Sequence, residues 1–151
     1  MEIKKIVSGG QAGVDRAALD AAIDSGIPVG GWCPKGRRAE DGRIDLSYPL
    51  KETPSESYIQ RTEWNVRDSD ATLIIYRSKM SGGTLATWEL ARKYERPCIP
   101  FDLKAEMPTE VQFPDTVTVL NVAGPRESQN PGIYKAAYEL LVGFFSRLPE
   151  A

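Results

Sequence analysis

Apolar positions along this chain switch between two periods, and the switches predict alternating strands and helices. Ile3, Ile6 and Val7 stand in an otherwise polar stretch and predict a first strand at residues 3–7. Residues 12–25 carry Ala17, Ala18, Ala21 and Ala22 at helical spacing and end before Gly26, a natural helix stop. A second strand is predicted at 27–32, a third at 71–76, a fourth at 98–101 behind Pro97, and a fifth at 117–122. Thr53-Pro54-Ser55-Glu56 reads as a capping box, with Thr53 as N-cap, opening a helix that runs to Asp68. Residues 83–94 predict another helix. Asn130-Pro131 is read as the cap of a last one, reaching Leu148 with Tyr134, Ala137, Tyr138, Leu141, Val142 and Phe145 on the 3.6-residue period. Residues 33–52 show neither period. They are rich in Pro, Gly and charge, and a loop of that length is read as a flap over a site.

This alternation implies an α/β chain. We read one Rossmann-like domain over residues 1–151, a three-layer α/β/α sandwich on a mainly parallel sheet of about five strands. The simplest strand order is 2-1-3-4-5, which makes the first and third strands neighbours at the topological switch point, where such folds bind ligands.

Two Ser-Gly-Gly triplets fall at those strands' ends. Ser8-Gly9-Gly10 closes the first strand, and Ser81-Gly82-Gly83 follows the third by a few residues. Each leads into a helical stretch with a carboxylate one or two turns in, Asp15 and Glu89. A glycine turn between strand and helix lets backbone N–H groups close on an anion. Candidate ligand contacts are therefore Ser8, Gly9, Gly10, Gly13 and Asp15 on one turn, and Ser81, Gly82, Gly83 and Thr84 on the other. Lys35, just past the second strand, and Asn121, Gly124 and Arg126, at the end of the fifth, occupy the same edge. Plainer roles stand beside these. Asp15 complements a helix dipole, Glu89 pairs with Lys93, and Arg61 pairs with Asp68 or Glu52.

Composition narrows the chemistry. The chain has 151 residues, a formal net charge of −2 and no histidine. Ser-His-Asp and Cys-His nucleophile systems and His-based metal motifs are excluded. Cys33 and Cys98 cannot supply a four-cysteine zinc site, so no metal site is expected. The near-neutral balance argues against a nucleic-acid or membrane-surface partner. The early start of the first strand leaves no room for a signal peptide, and a cytoplasmic location is expected.

Ser8-Gly9-Gly10-Gln11-Ala12-Gly13-Val14-Asp15, the 32–35 turn, residues 61–71 and the 81–89 segment together resemble the "putative molybdenum carrier" family. That family is related to the LOG-type, lysine-decarboxylase-like Rossmann proteins. The resemblance implies a phosphorylated, nucleotide-like or pterin-like ligand, with molybdenum cofactor the candidate its name suggests, and adds Gln11 to the contacts. LOG enzymes split nucleoside monophosphates with an Arg in M-H-x-R-K and a Glu in P-G-G-x-G-T-x-x-E. Tyr58-Ile59-Gln60-Arg61-Thr62 stands where the first motif would, so Arg61 matches its Arg. In the second, Gly82, Gly83 and Glu89 match, while Ser81 replaces Pro, Leu85 replaces Gly and Ala86 replaces Thr. Ser81, Thr84 and Thr87 are substitute hydroxyls for that altered cradle.

Three functions follow. The first is a binding or carrier protein for a phosphorylated small molecule. The second is a LOG-type N-glycosidase with Arg61 and Glu89 as catalytic residues. The third is a nucleotide-sensing module. Adjacent Phe144 and Phe145 give the last helix apolar residues on more than one face, which suggests a homodimer.

Overall fold

Short parallel strands organise the chain, and two interior ones, at residues 71–76 and 119–123, are buried along most of their length. The computed structural model describes residues 2–105 and 111–148. In chain order the elements are β1 (Lys5–Val7), α1 (Val14–Asp24), β2 (Val29–Gly30), β3 (Trp32–Cys33), β4 (Arg38–Ala39), β5 (Gly42–Arg43) and β6 (Lys51–Glu52). They continue with α2 (Tyr58–Arg67), β7 (Ala71–Tyr76), α3 (Gly82–Lys93), β8 (Cys98–Asp102), β9 (Val119–Ala123) and α4 (Ile133–Ser146). The central sheet is parallel throughout, in the order β2-β1-β9-β7-β8. Period-two alternation divides its side chains. Ile6, Leu73, Ile75, Leu120 and Val122 share one core with α1 and α4. The four alanines of α1 are all fully buried there, and their small size lets the helix lie close to the sheet. Helices α2 and α3 pack on one another, and α3 lies against β7 and β8. This is the expected Rossmann-like α/β architecture, helices flanking a five-stranded parallel sheet.

The strand order differs from the one expected. The last strand, β9, inserts between β1 and β7, so the first and third predicted strands are not neighbours. Both its edges are pinned. Lys4 and Lys5 N–H donate to Thr118 O on the β1 side. On the β7 side, Asp70 Oδ2 accepts from Thr118 N–H, Thr118 Oγ1 and Val119 N–H at 2.9–3.0 Å. Those bonds, the Val119 N–H foremost, hold the Asp70 carboxyl below its ordinary value of 3.8. A carboxyl whose folded pKa is depressed contributes stability above the unfolded pKa and loses it as pH falls through the folded one. Asp70→Asn is therefore expected to cost about 1–2 kcal/mol at pH 7. Urea unfolding should show that deficit shrinking below about pH 4.

Two helix starts also move. Helix α2 begins at Tyr58 with Ser57 as N-cap, its hydroxyl accepting from Ile59 N–H at 3.3 Å. Thr53 does not cap, because its hydroxyl donates to Ser55 O and Cys33 O. Helix α4 begins at Ile133 behind Gly132, whose φ is 89°. Glu127 accepts from Gly132 N–H at 2.7 Å and Tyr134 N–H at 2.9 Å, while Ile133 N–H between them donates to Asn130 O at 3.0 Å. Phe144 and Phe145 are both buried within the chain, so this pair presents no free apolar face to a second copy.

The second predicted strand breaks at Gly31. A Cβ there would stand 2.5 Å from Ser8 O, and φ is 121°. Its first half joins the central sheet as β2, and its second half leaves as β3 to pair with β6. Residues 33–52, aperiodic in sequence, thus end in a strand and contain the β4–β5 hairpin. They enclose Arg37, which is buried and donates to the carbonyls of Ile44, Leu50, Asp45 and Tyr48. Cys33, Ile44 and Leu50 pack with Leu19 of α1 beneath this segment. Among the described residues, no helix is long and apolar enough to cross a membrane.

Candidate functional site

The first glycine turn is filled by the protein's own groups. Ser8 Oγ donates to Asp15 O at 2.8 Å and accepts from Gly10 N–H. Gln11 N–H reaches Asp15 Oδ2 at 3.4 Å, and Val14 N–H donates to Pro125 O at 3.3 Å. The turn's carbonyls are used as well. Arg16 donates twice to Gly10 O, and Arg61 Nη1 donates to Gly9 O at 3.0 Å. Gly9 must be glycine for this, since a Cβ would stand 2.3 Å from Arg61 Nη1. Gly13, with φ 104°, caps α1 against the 125–127 backbone.

The second turn is open. Gly82 and Gly83 are the first residues of α3, so their N–H groups have no intrahelical acceptor, and the Ser81 side chain makes no capping hydrogen bond. A Cβ at either glycine would meet nothing within 4 Å. These N–H groups carry the positive end of the α3 dipole to the edge of a cavity.

That cavity measures about 380 Å³ and lies at the carboxyl ends of β1, β9 and β7. Gly9, Gln11 and Asp15 line one wall, and Gly82, Gly83, Thr84 and Thr87 line the other. The β9 end, Asn121 to Arg126, lies between, and Tyr58, Arg61, Thr62 and Asn65 of α2 contribute as well. Inserting β9 thus spaces the two turns one strand further apart than a direct β1–β7 pairing would.

Two of its charged groups are buried and coupled. Arg61 and Asp15 are both buried, with Arg61 Nη1 3.5 Å from Asp15 Oδ2. Burial dominates both ionisations. It raises the Asp15 pKa despite Arg61, and lowers that of Arg61 despite Asp15. Arginine still stays charged at neutral pH, because its reference value is so high. The Arg126 guanidinium lies 4.9 Å from the Tyr58 ring centroid, and that of Arg61 lies 5.2 Å from it. Two guanidiniums and one carboxylate leave the described lining with a net positive charge.

The structure brings together Gly9, Gln11, Asp15, Arg61, Gly82, Gly83, Thr84 and Thr87, and with them Asn121, Gly124 and Arg126. Ser8, Gly10 and Gly13 support the first turn without lining the cavity. Ser81 is exposed at the α3 N-cap. Lys35 lies elsewhere, exposed beside Gly36, Glu52 and Pro54. Glu89 is exposed on α3 and outside the lining, and Lys93 pairs with Glu63 instead of with it. Thr87 Oγ1 donates to Gly83 O at 2.9 Å. Tyr58 and Asn65 went unread in the sequence, although three- and four-residue spacing from Arg61 puts them on its helix face. Asn65 bonds both N–H and C=O of Trp32, holding the β2–β3 break. Among the described residues, no group of three or more His, Cys, Asp or Glu side chains is placed to hold a metal ion.

Fold and cavity together define a Rossmann-like α/β protein with a cationic pocket at the carboxyl edge of its sheet. The chain belongs to the circularly permutated YpsA SLOG family, whose model matches residues 6–145. It is also similar to the crystal structure, at 1.45 Å resolution, of the "putative molybdenum carrier protein" of Syntrophus aciditrophicus SB. Identity is 47%, the match covers 94% of each chain, and the TM-score is 0.91. None of the curated proteins matches the chain significantly.

Proposed function

We propose that the chain binds and carries a phosphorylated small molecule of pterin-like or nucleotide-like character. Molybdenum cofactor is the candidate that the name of the Syntrophus relative suggests. One observation carries the reading: the open N-terminus of α3 at Gly82 and Gly83 shares a cavity with Arg61 and Arg126. A helix N-terminus facing guanidiniums is suited to phosphate. The volume of about 380 Å³ lies in the range of small-molecule sites.

A LOG-type hydrolase would need a carboxylate at the ribose. Glu89 is exposed and outside the lining, and Asp15 is tied to Gln11 N–H and Arg61. These placements favour binding over turnover. Native mass spectrometry of freshly purified protein, with fluorescence identification of any pterin released on denaturation, tests the reading. Glu89→Gln is expected to retain ligand as the wild type does. Release of free base from AMP by the wild type but not by this variant would overturn a binding-only function.

A further inference from the structure

Gln11 is the one described residue with a buried side-chain polar atom that lacks a hydrogen-bond partner, its Nε2. The residue lines the cavity and is only 3% exposed. Its amide cannot be turned around to relieve this. Oε1 accepts from Ala12 N–H at 3.1 Å and from Glu40 N–H at 2.7 Å. Flipping would set an NH₂ group against two N–H donors. The free end is therefore a committed donor, and an unmet buried donor is costly.

An anion seated at the α3 N-terminus would lie two strand positions away from this donor. Gln11 follows β1 and Gly82 follows β7, with β9 between the two strands. Two strand spacings are about 10 Å, more than one phosphate group spans. Because Nε2 has almost no free surface, the acceptor must be an atom that projects from the ligand. An exocyclic carbonyl oxygen projects, whereas a ring nitrogen is recessed between its neighbours.

We propose that Gln11 is a specificity-determining contact that selects a carbonyl at the rim of a planar ring, so that the ligand is a phosphorylated lactam heterocycle of the 6-oxopurine or pterin type. The inference rests on the phosphate-binding reading above and narrows it. An amino group in place of that carbonyl sets donor against donor.

Inosine and adenosine 5′-monophosphates differ at this exocyclic position, oxo against amino, and at the adjoining ring nitrogen. The wild type is expected to bind the inosine compound at least about tenfold more tightly, by calorimetry. Gln11→Glu keeps an oxygen for the Ala12 and Glu40 N–H groups but replaces the donor with a second acceptor. It should lose that preference, with affinity for the inosine compound at least about tenfold lower. The exchange protection of the Glu40 amide should stay unchanged, because the oxygen that holds it is kept, whereas a purely structural role for Gln11 would couple lost affinity to lost protection. Equal or tighter binding of the adenosine compound by the wild type overturns the inference, even where the variant fails to fold. So does a folded variant that retains the preference. If neither nucleotide binds but inorganic phosphate does, the lactam assignment falls and the phosphate reading stands. If inorganic phosphate does not bind either, both fall.

Discussion

Replacing Arg61 with methionine is expected to abolish phosphate binding and to lower stability by about 3–5 kcal/mol at neutral pH. Methionine fills much of the space of the arginine stem but removes every donor. Arg61 gives Nη1 to Gly9 O, and Nε to Tyr58 O and Thr62 Oγ1. Its loss also strands Asp15, a buried carboxyl whose principal opposing charge is Arg61. Burial already raises the Asp15 pKa above 3.8, and without the guanidinium it should rise further. A carboxyl with a raised folded pKa favours the folded state below its unfolded pKa and loses that contribution as pH rises through the folded value. The variant's deficit should therefore shrink on acidification from pH 7 toward pH 4. Asp15→Asn in the same chain should recover part of it at pH 7, because no charge is then left to bury. Denaturant unfolding of the single and double variants at both pH values measures this. A deficit that is the same at both pH values would mean that the Arg61–Asp15 pairing does not set the cost.

What the sequence showed of this site depended on whether the signal was local. Strand–helix alternation, the α1 stop at Gly26 and the glycine turns are properties of short stretches, and they placed the elements close to where they are. The sheet order is not local. Nothing in the run Val117 to Val122 says that it enters between β1 and β7, because a strand buried on both faces looks the same in any central position. The capping box at 53–56 was also a true pattern with the wrong partner. Thr53 found carbonyls of Ser55 and Cys33, and Ser57 took the cap. For the same reason the two Ser-Gly-Gly turns looked equivalent. Only tertiary contacts distinguish them, since Asp15, Pro125 and Arg61 use up the first and leave Gly82 and Gly83 open. Glu89 matched a motif by spacing, but the exposed side of α3 holds it away from the cavity.

Gly124→Ala is expected to be the most destabilising single-methyl addition at the site, costing at least about 3 kcal/mol. A Cβ at Gly124 would stand 2.2 Å from Ile75 O, and 2.6 Å from Val14 Cγ2. The carbonyl belongs to β7, an interior strand of the sheet beside β9, and Val14 is fully buried in the first turn of α1. Neither is the free end of a flexible side chain, so β9 itself must move. Gly124 directly follows β9, and Pro125 O holds Val14 N–H. Moving it should therefore disturb α1, the first glycine turn and the position of Arg126 together. The same methyl at Gly83, in open space at the α3 N-terminus, should be nearly neutral for folding. Comparing the two variants by thermal unfolding separates a glycine that packs from a glycine that leaves room. If Gly124→Ala melts within a degree of the wild type, β9 is not wedged between β7 and α1 as tightly as these distances require.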